Sequence, residues 1–142
     1  MKSKNIYIVA SVFYEELIDQ MIQGAIKENN GMNDLNIIKV PGAFEIPGMI
    51  NCIIENQNPD LILALGVLIK GESDHFEYIS SSVTNSISHL SISNNIPIIF
   101  GVLTVHNMEQ AIERAYLDKK NKGGEAMKTG LKMLKLYEEY KK

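Results

Sequence analysis

Apolar positions along the 142-residue chain follow two rhythms. Continuous runs rich in β-branched residues at 6–11 (IYIVAS), 35–40 (LNIIKV), 60–69 (DLILALGVLI) and 96–105 (IPIIFGVLTV) predict four buried strands. Between them apolar residues recur every three or four positions, the spacing of one helix face. Leu17, Ile18, Met21, Ile22, Ala25 and Ile26 mark a first helix, stopped by Asn30 and Gly31. Ile46, Met49, Ile50, Ile53 and Ile54 mark a second, which Pro47 requires to start close by, because only a first-turn N–H lacks an intrahelical acceptor. A third segment from Ser73 to about Asn95 carries Phe76, Ile79, Val83, Ile87 and Leu90. MEQAIERAYL gives a short fourth helix, and EAMKTGLKMLKLYEEY, preceded by Gly123 and Gly124, gives the last.

Strands that alternate with helices and are apolar throughout imply a parallel sheet covered on both faces. The expected architecture is one α/β domain over 1–142, a three-layer flavodoxin-like sandwich with a four-stranded parallel sheet. Such sheets bind ligands outside the carboxyl ends of their strands. The segments there are Val12, Phe13 and Tyr14; 41–45 (PGAFE); 70–75 (KGESDH); and Val105, His106 and Asn107. Phe13 and Phe44 either cap the ends of the core or offer a flat ring a stacking surface, and periodicity alone does not choose between them. Gly42 and Gly71 let the backbone approach a ligand closely, although tight strand-to-helix turns need glycine anyway.

Composition narrows the partners. A net charge of −3 and a pI near 5.6 argue against a nucleic acid or an anionic membrane as the main partner. No apolar run approaches the roughly 20 residues that span a bilayer. The lone cysteine, Cys52, precludes an intrachain disulfide, fits a reducing compartment, and in MINCII reads as a core thiol. With an apolar N-terminal stretch too short for a signal peptide, a cytoplasmic location is expected. Neither GxxxxGK[ST] nor GxGxxG occurs, so nucleoside triphosphates and dinucleotides lack their usual marks.

His75 falls at the expected start of the third helix, flanked by Glu72, Asp74 and Glu77. A helix N-terminus disfavours imidazolium and carboxylates favour it. Histidine is the side chain best suited to proton transfer near neutral pH, yet one at a helix start is also an ordinary solvated residue. His89 and His106 have no metal-ligand spacing to another donor. Arg114 is the only arginine; its planar fork suits phosphate or carboxylate, and a solvent-facing contact with Gln110 or Glu113 is the plainer reading.

VPGAFEIP (40–47), GVLIKGESDHFEYIS (66–80), PIIFGVLTVHNMEQAIERA (97–115) and NKGGEAMKTGLKML (121–134) together resemble lumazine synthase, in order and over nearly the whole chain. The resemblance implies condensation of 5-amino-6-(D-ribitylamino)uracil with 3,4-dihydroxy-2-butanone 4-phosphate. The products are 6,7-dimethyl-8-ribityllumazine, phosphate and water, in the penultimate step of riboflavin biosynthesis. It implies no cofactor and no metal, and homopentamers, or multiples of them, with sites between subunits. By the same resemblance Phe13 stacks on the pyrimidine, while Ala43, Phe44 and Glu45 hold the pyrimidine and ribityl chain. Backbone groups of Val67, Leu68 and Ile69 read the uracil edge, and Phe100 closes the pocket from a neighbouring subunit. Backbone N–H groups at Glu72 and Ser73, with Arg114, hold the phosphate, and Lys122 adds positive charge nearby. His75 matches the proton-transfer histidine.

The chain departs from the family pattern in places. Val12 and Tyr14 flank Phe13 where arginine and asparagine are common, and Lys70 replaces a common arginine. Glu72 and Asp74 put negative charge beside the phosphate site, where small or neutral residues are frequent, and Asp118 replaces a frequent basic residue. A non-catalytic flavin- or pyrimidine-binding module of the same fold is the alternative, and a related enzyme condensing two lumazines is a further one. The short segment before the first strand leans toward a free pentamer rather than a 60-subunit shell.

Overall fold

A computed structural model describes residues 2–72 and 75–141. Four strands, β1 (Asn5–Ser11), β2 (Asp34–Val40), β3 (Leu61–Ile69) and β4 (Ile98–Val105), form one sheet in the order β2-β1-β3-β4, with every pairing parallel. This is the flavodoxin-like order expected from the alternation of strands and helices. Helices α1 (Glu15–Asn29), α2 (Ile46–Asn56), α3 (Phe76–Ser93), α4 (Met108–Ala115) and α5 (Lys122–Tyr140) cover it.

Side-chain alternation along the central strands assigns the two faces. Ile6, Ile8 and Ala10 of β1, with Leu61, Leu63 and Leu65 of β3, pack under α1, α4 and α5. Tyr7, Val9, Ile62 and Ala64 pack under α2 and α3. Because both faces are covered, these two strands are apolar at nearly every position, and each fully buried Ile or Leu contributes about 1.5–3 kcal/mol. The outer strands differ. Only Val40 of β2 and Ile98, Val102 and Val105 of β4 are buried, the rest being half-buried or exposed, so these apolar runs are covered less completely than a continuous pattern implies.

Three local readings change on contact with the fold. Cys52 is exposed: Ile46, Ile50 and Ile53 form the inner stripe of α2, and position 52 falls about 200° around the helix from 50. Pro97 lies before β4 rather than in it; it has no N–H to give, but its carbonyl accepts from Ile62 N–H at 3.1 Å. Gly123 and Gly124 stand inside the first turn of α5, not ahead of it. A side chain at Gly123 would strike the Met21 backbone, so this glycine allows α5 to lie against α1. Pro47, by contrast, occupies the first turn of α2 as its chemistry demands.

The strand ends are tied together at the carboxyl rim. Val12 N–H donates to Val40 O (2.9 Å) and Lys70 N–H to Val105 O (2.8 Å). The loops after the strands therefore share one edge. Among the described residues no helix is long and apolar enough to cross a membrane.

Candidate active site

The rim encloses a cavity of about 270 Å³. Its walls come from the loop after β1 (Phe13, Tyr14), the turn after β2 (Gly42, Ala43, Phe44, Glu45), the end of β3 (Val67, Leu68, Ile69) and the start of α3 (Phe76, Ile79). Seven residues expected in the site, Phe13, Ala43, Phe44, Glu45, Val67, Leu68 and Ile69, thus meet in one place.

Each wall has a local cause. Residues 43–45 form one turn of 3-10 helix, closed by Glu45 N–H to Gly42 O at 3.1 Å. A Cβ on Gly42 would lie 3.1 Å from Glu45 Oε1, so the bare glycine gives the carboxylate room to fold back over the turn. Phe13 and Phe44 are 71% and 59% exposed, so neither ring caps the core of this chain. An exposed aromatic edge on a half-open apolar cavity suits a flat, partly polar ring. Phe13 meets Tyr14 edge-on, with ring centroids 5.0 Å apart at 86°.

Gly71, at φ +88°, turns the chain out of β3. Glu72 N–H donates to Ile69 O at 3.2 Å, closing that turn. The Glu72 amide expected to receive phosphate is therefore already engaged, through a long bond. Ser73, its expected partner, lies outside the described residues, as does Asp74. The Glu72 side chain points the other way: Tyr14 Oη donates to Glu72 Oε1 at 2.8 Å. Partial burial, and then the carboxylate, push the Tyr14 phenol up to about 12, so it stays a donor at any physiological pH.

His75 does not fall inside the helix. It is the N-cap residue of α3, exposed, and its carbonyl accepts from Ile79 N–H at 2.9 Å. Its ring lies 6.4 Å from the Tyr78 ring. Backbone φ and ψ of −112° and 19° swing it off the helical path, at the rim next to Phe76.

Phe100, Lys122 and Arg114 are elsewhere. Phe100, 42% exposed on edge strand β4, shares a second, shallower hollow of about 290 Å³ with Lys122, Glu125 and Thr129 of α5. Lys122 Nζ is held 3.2 Å from Glu125 Oε1, one turn along its own helix. Arg114 lies half-buried on α4, its Nη1 donating to Gln110 O at 3.3 Å. Glu113 turns to Lys119 instead, at 4.0 Å. The start of α4 is fixed by side chains on both sides: Asn107 accepts from Gln110 N–H, and Gln110 accepts from His106 N–H, each at 2.8 Å. Among the described residues no three His, Cys, Asp or Glu side chains gather as a metal site. Tyr14 was not singled out from sequence as a site residue; its position one residue after Phe13 was the available signal.

A parallel α/β sheet with an aromatic-walled, single-carboxylate cavity at its carboxyl rim puts the chain among α/β proteins with room for a small molecule at the strand ends. Comparison with known proteins narrows this. The family model described as 6,7-dimethyl-8-ribityllumazine synthase matches residues 3–138. Proteins of that name from Leuconostoc mesenteroides (41% identical; 98% of this chain, 92% of theirs) and Campylobacter jejuni subsp. doylei (40%; 94% and 90%) are similar along almost their whole lengths. The protein of that name from Aquifex aeolicus is 39% identical, over 92% of this chain and 87% of its own. The chain belongs to the 6,7-dimethyl-8-ribityllumazine synthase family, transferases of riboflavin biosynthesis.

Proposed function

We propose that the protein condenses 5-amino-6-(D-ribitylamino)uracil with 3,4-dihydroxy-2-butanone 4-phosphate to give 6,7-dimethyl-8-ribityllumazine, phosphate and water. The observation that carries this reading is the convergence of Phe13, residues 43–45 and the end of β3 on one cavity at the carboxyl rim. In this proposal Phe13 stacks on the pyrimidine and the Glu45 carboxylate accepts ribityl hydroxyls. Ala43 and Phe44 border the ring, and backbone groups of Val67, Leu68 and Ile69 meet the uracil edge. Those backbone positions belong to a rigid strand, which favours precise placement.

The chemistry assigned to His75 is proton transfer. Imine formation between the 5-amino group and the ketone expels a hydroxyl, which needs a proton; phosphate elimination follows, and then ring closure, in which the ribityl-bearing nitrogen attacks the remaining carbonyl and a second hydroxyl leaves as water. An exposed imidazole one residue before Phe76 of the cavity wall suits that traffic, at a typical contribution of about 10²- to 10⁴-fold. Holding two substrates in register supplies much of the rest. Arg114 and the backbone N–H groups of Glu72 and Ser73 are the proposed phosphate contacts, with Lys122 adding positive charge once it leaves Glu125.

Phe100 and Lys122 share a hollow other than the rim cavity, so in this reading they serve the cavity of an adjacent copy. That arrangement calls for a closed ring, proposed to be a homopentamer or a multiple of pentamers, of a single-domain, cytoplasmic enzyme. The deciding experiment mixes purified protein with both substrates and follows lumazine formation by absorbance against the uncatalysed rate. Saturable acceleration is expected. A folded oligomer that binds the pyrimidine without acceleration would leave a binding module in the enzyme's place.

A further inference from the structure

We infer that Tyr14 is a positioning residue for the phosphate-bearing substrate, its hydroxyl holding the Glu72 carboxylate against the loop after β1 and away from the incoming anion. The inference rests on the reading above, in which the Glu72 backbone helps to receive the phosphate.

Glu72 is a liability at that turn. A carboxylate beside a phosphate repels it, and the effect is strongest at the short separations a bound anion requires. Lys70, the nearest cation in sequence, faces Glu77 at 4.0 Å. Tyr14, 58 positions away, meets the Glu72 carboxylate instead, Oη to Oε1, at 2.8 Å. A hydrogen bond to an ionised oxygen is among the stronger kinds available to a phenol.

Tyr14 is well placed to keep that grip. Its carbonyl accepts from Ile18 N–H at 3.0 Å, which anchors its backbone to the first turn of α1. Its ring abuts Phe13 edge-on, and both rings line the cavity. The pair therefore joins the proposed pyrimidine wall to the turn after β3 that Glu72 closes. The phenol's raised pKa keeps the donor hydrogen in place across the working pH range.

The test compares full-length wild type, Tyr14→Phe, Glu72→Gln and the double variant, with each substrate varied in turn, at low and high salt. Wild-type turnover comes first, since its absence removes the reaction assignment and this inference with it. Tyr14→Phe should raise KM for dihydroxybutanone phosphate about fivefold, the size of effect one unit charge has a few ångström from an exposed anion. Glu72→Gln alone should lower it, because a negative charge beside the anion is removed while the backbone contact at position 72 stays, and adding Glu72→Gln to Tyr14→Phe should return KM to the Glu72→Gln value. The Tyr14→Phe effect should also fade in about 1 M salt, where the screening length is ~3 Å rather than the ~10 Å of 0.1 M. A raised KM that persists in the double variant, or that appears equally for the pyrimidine, makes Tyr14 a plain cavity wall and overturns the inference.

Discussion

The rim cavity and the β4–α5 hollow have nearly the same volume, about 270 and 290 Å³, and are built on opposite plans. The rim draws its walls from the ends of three strands and the start of a helix, so residues from 13 to 79 are brought together by topology. The hollow comes from one strand and one helix, residues 99–103 and 122–129. The rim offers backbone groups, two exposed phenylalanines and one carboxylate. The hollow offers an aromatic ring and a lysine, but the lysine is held by its own helix. The first encloses without a cation, and the second supplies a cation without enclosing. In the proposed reading the two deficits offset each other across adjacent copies of the chain.

The largest effect should fall on the rim. His75→Ala is expected to lower kcat by about 10²- to 10⁴-fold, the usual worth of a positioned proton-transfer group. Its ring is exposed and it caps α3 through its backbone carbonyl, so circular dichroism and the melting temperature should change little. Unchanged turnover in steady-state assays would move the proton chemistry off His75 and weaken the distinction between the two regions.

A mixing experiment sharpens the comparison. Phe13→Ala damages the rim and Phe100→Ala the hollow, and each homogeneous variant should lose about tenfold in activity, the cost of a removed ring contact. When the two are co-expressed in equal amounts, random assembly leaves about a quarter of sites with an intact rim facing an intact hollow. Activity should then rise toward that fraction. A mixture no better than the mean of its parents would mean that both rings act within one chain, or that Phe100 acts nowhere.

How much of this was legible beforehand follows from the range over which sequence patterns carry information. The central strands could be read because full burial leaves an unbroken apolar run, and the start of α2 because Pro47 tolerates only the first turn. The rim residues were reachable from the strand-end rule together with the family likeness. Cys52 was misread because its apolar neighbours in the chain lie around the far side of the helix from it. The placement of Gly123 inside α5 depends on Met21, about 100 positions away, and no local pattern encodes that meeting. Tyr14 with Glu72 is the same case across 58 positions. Contacts between distant segments became visible only once the sheet order had set them side by side.

Gly123 gives a way to disturb the hollow while sparing the rim. Gly123→Ala pushes a methyl group into the α1 backbone, so α5 must shift outward. Overpacking of this kind costs about 1–3 kcal/mol, measurable as a lower urea midpoint. Because α5 forms one wall of the hollow, the effect of a Phe100→Ala change should shrink in this background, whereas that of Phe13→Ala should persist. Equal losses at both would show that the regions do not move independently.

The smallest effect probes the Tyr14–Glu72 tie at the rim through pH. A phenol whose folded pKa is raised from 10.0 to about 12 binds its proton more tightly in the folded than in the unfolded protein. Its contribution to stability is fully present below about pH 10 and is lost as pH rises through about 12. Tyr14→Phe removes the group, so the stability gap between wild type and variant should be constant at neutral pH and close above pH 10. Tyr116, whose phenol is also raised by its hydrogen bond to Glu16, is present in both proteins and cancels from the difference. Urea midpoints from pH 7 to about 11.5 read that gap directly. A gap that stays constant or widens across the range would mean that the phenol is not held by Glu72 in solution, and the loop after β1 would lose its side-chain tie to the turn after β3.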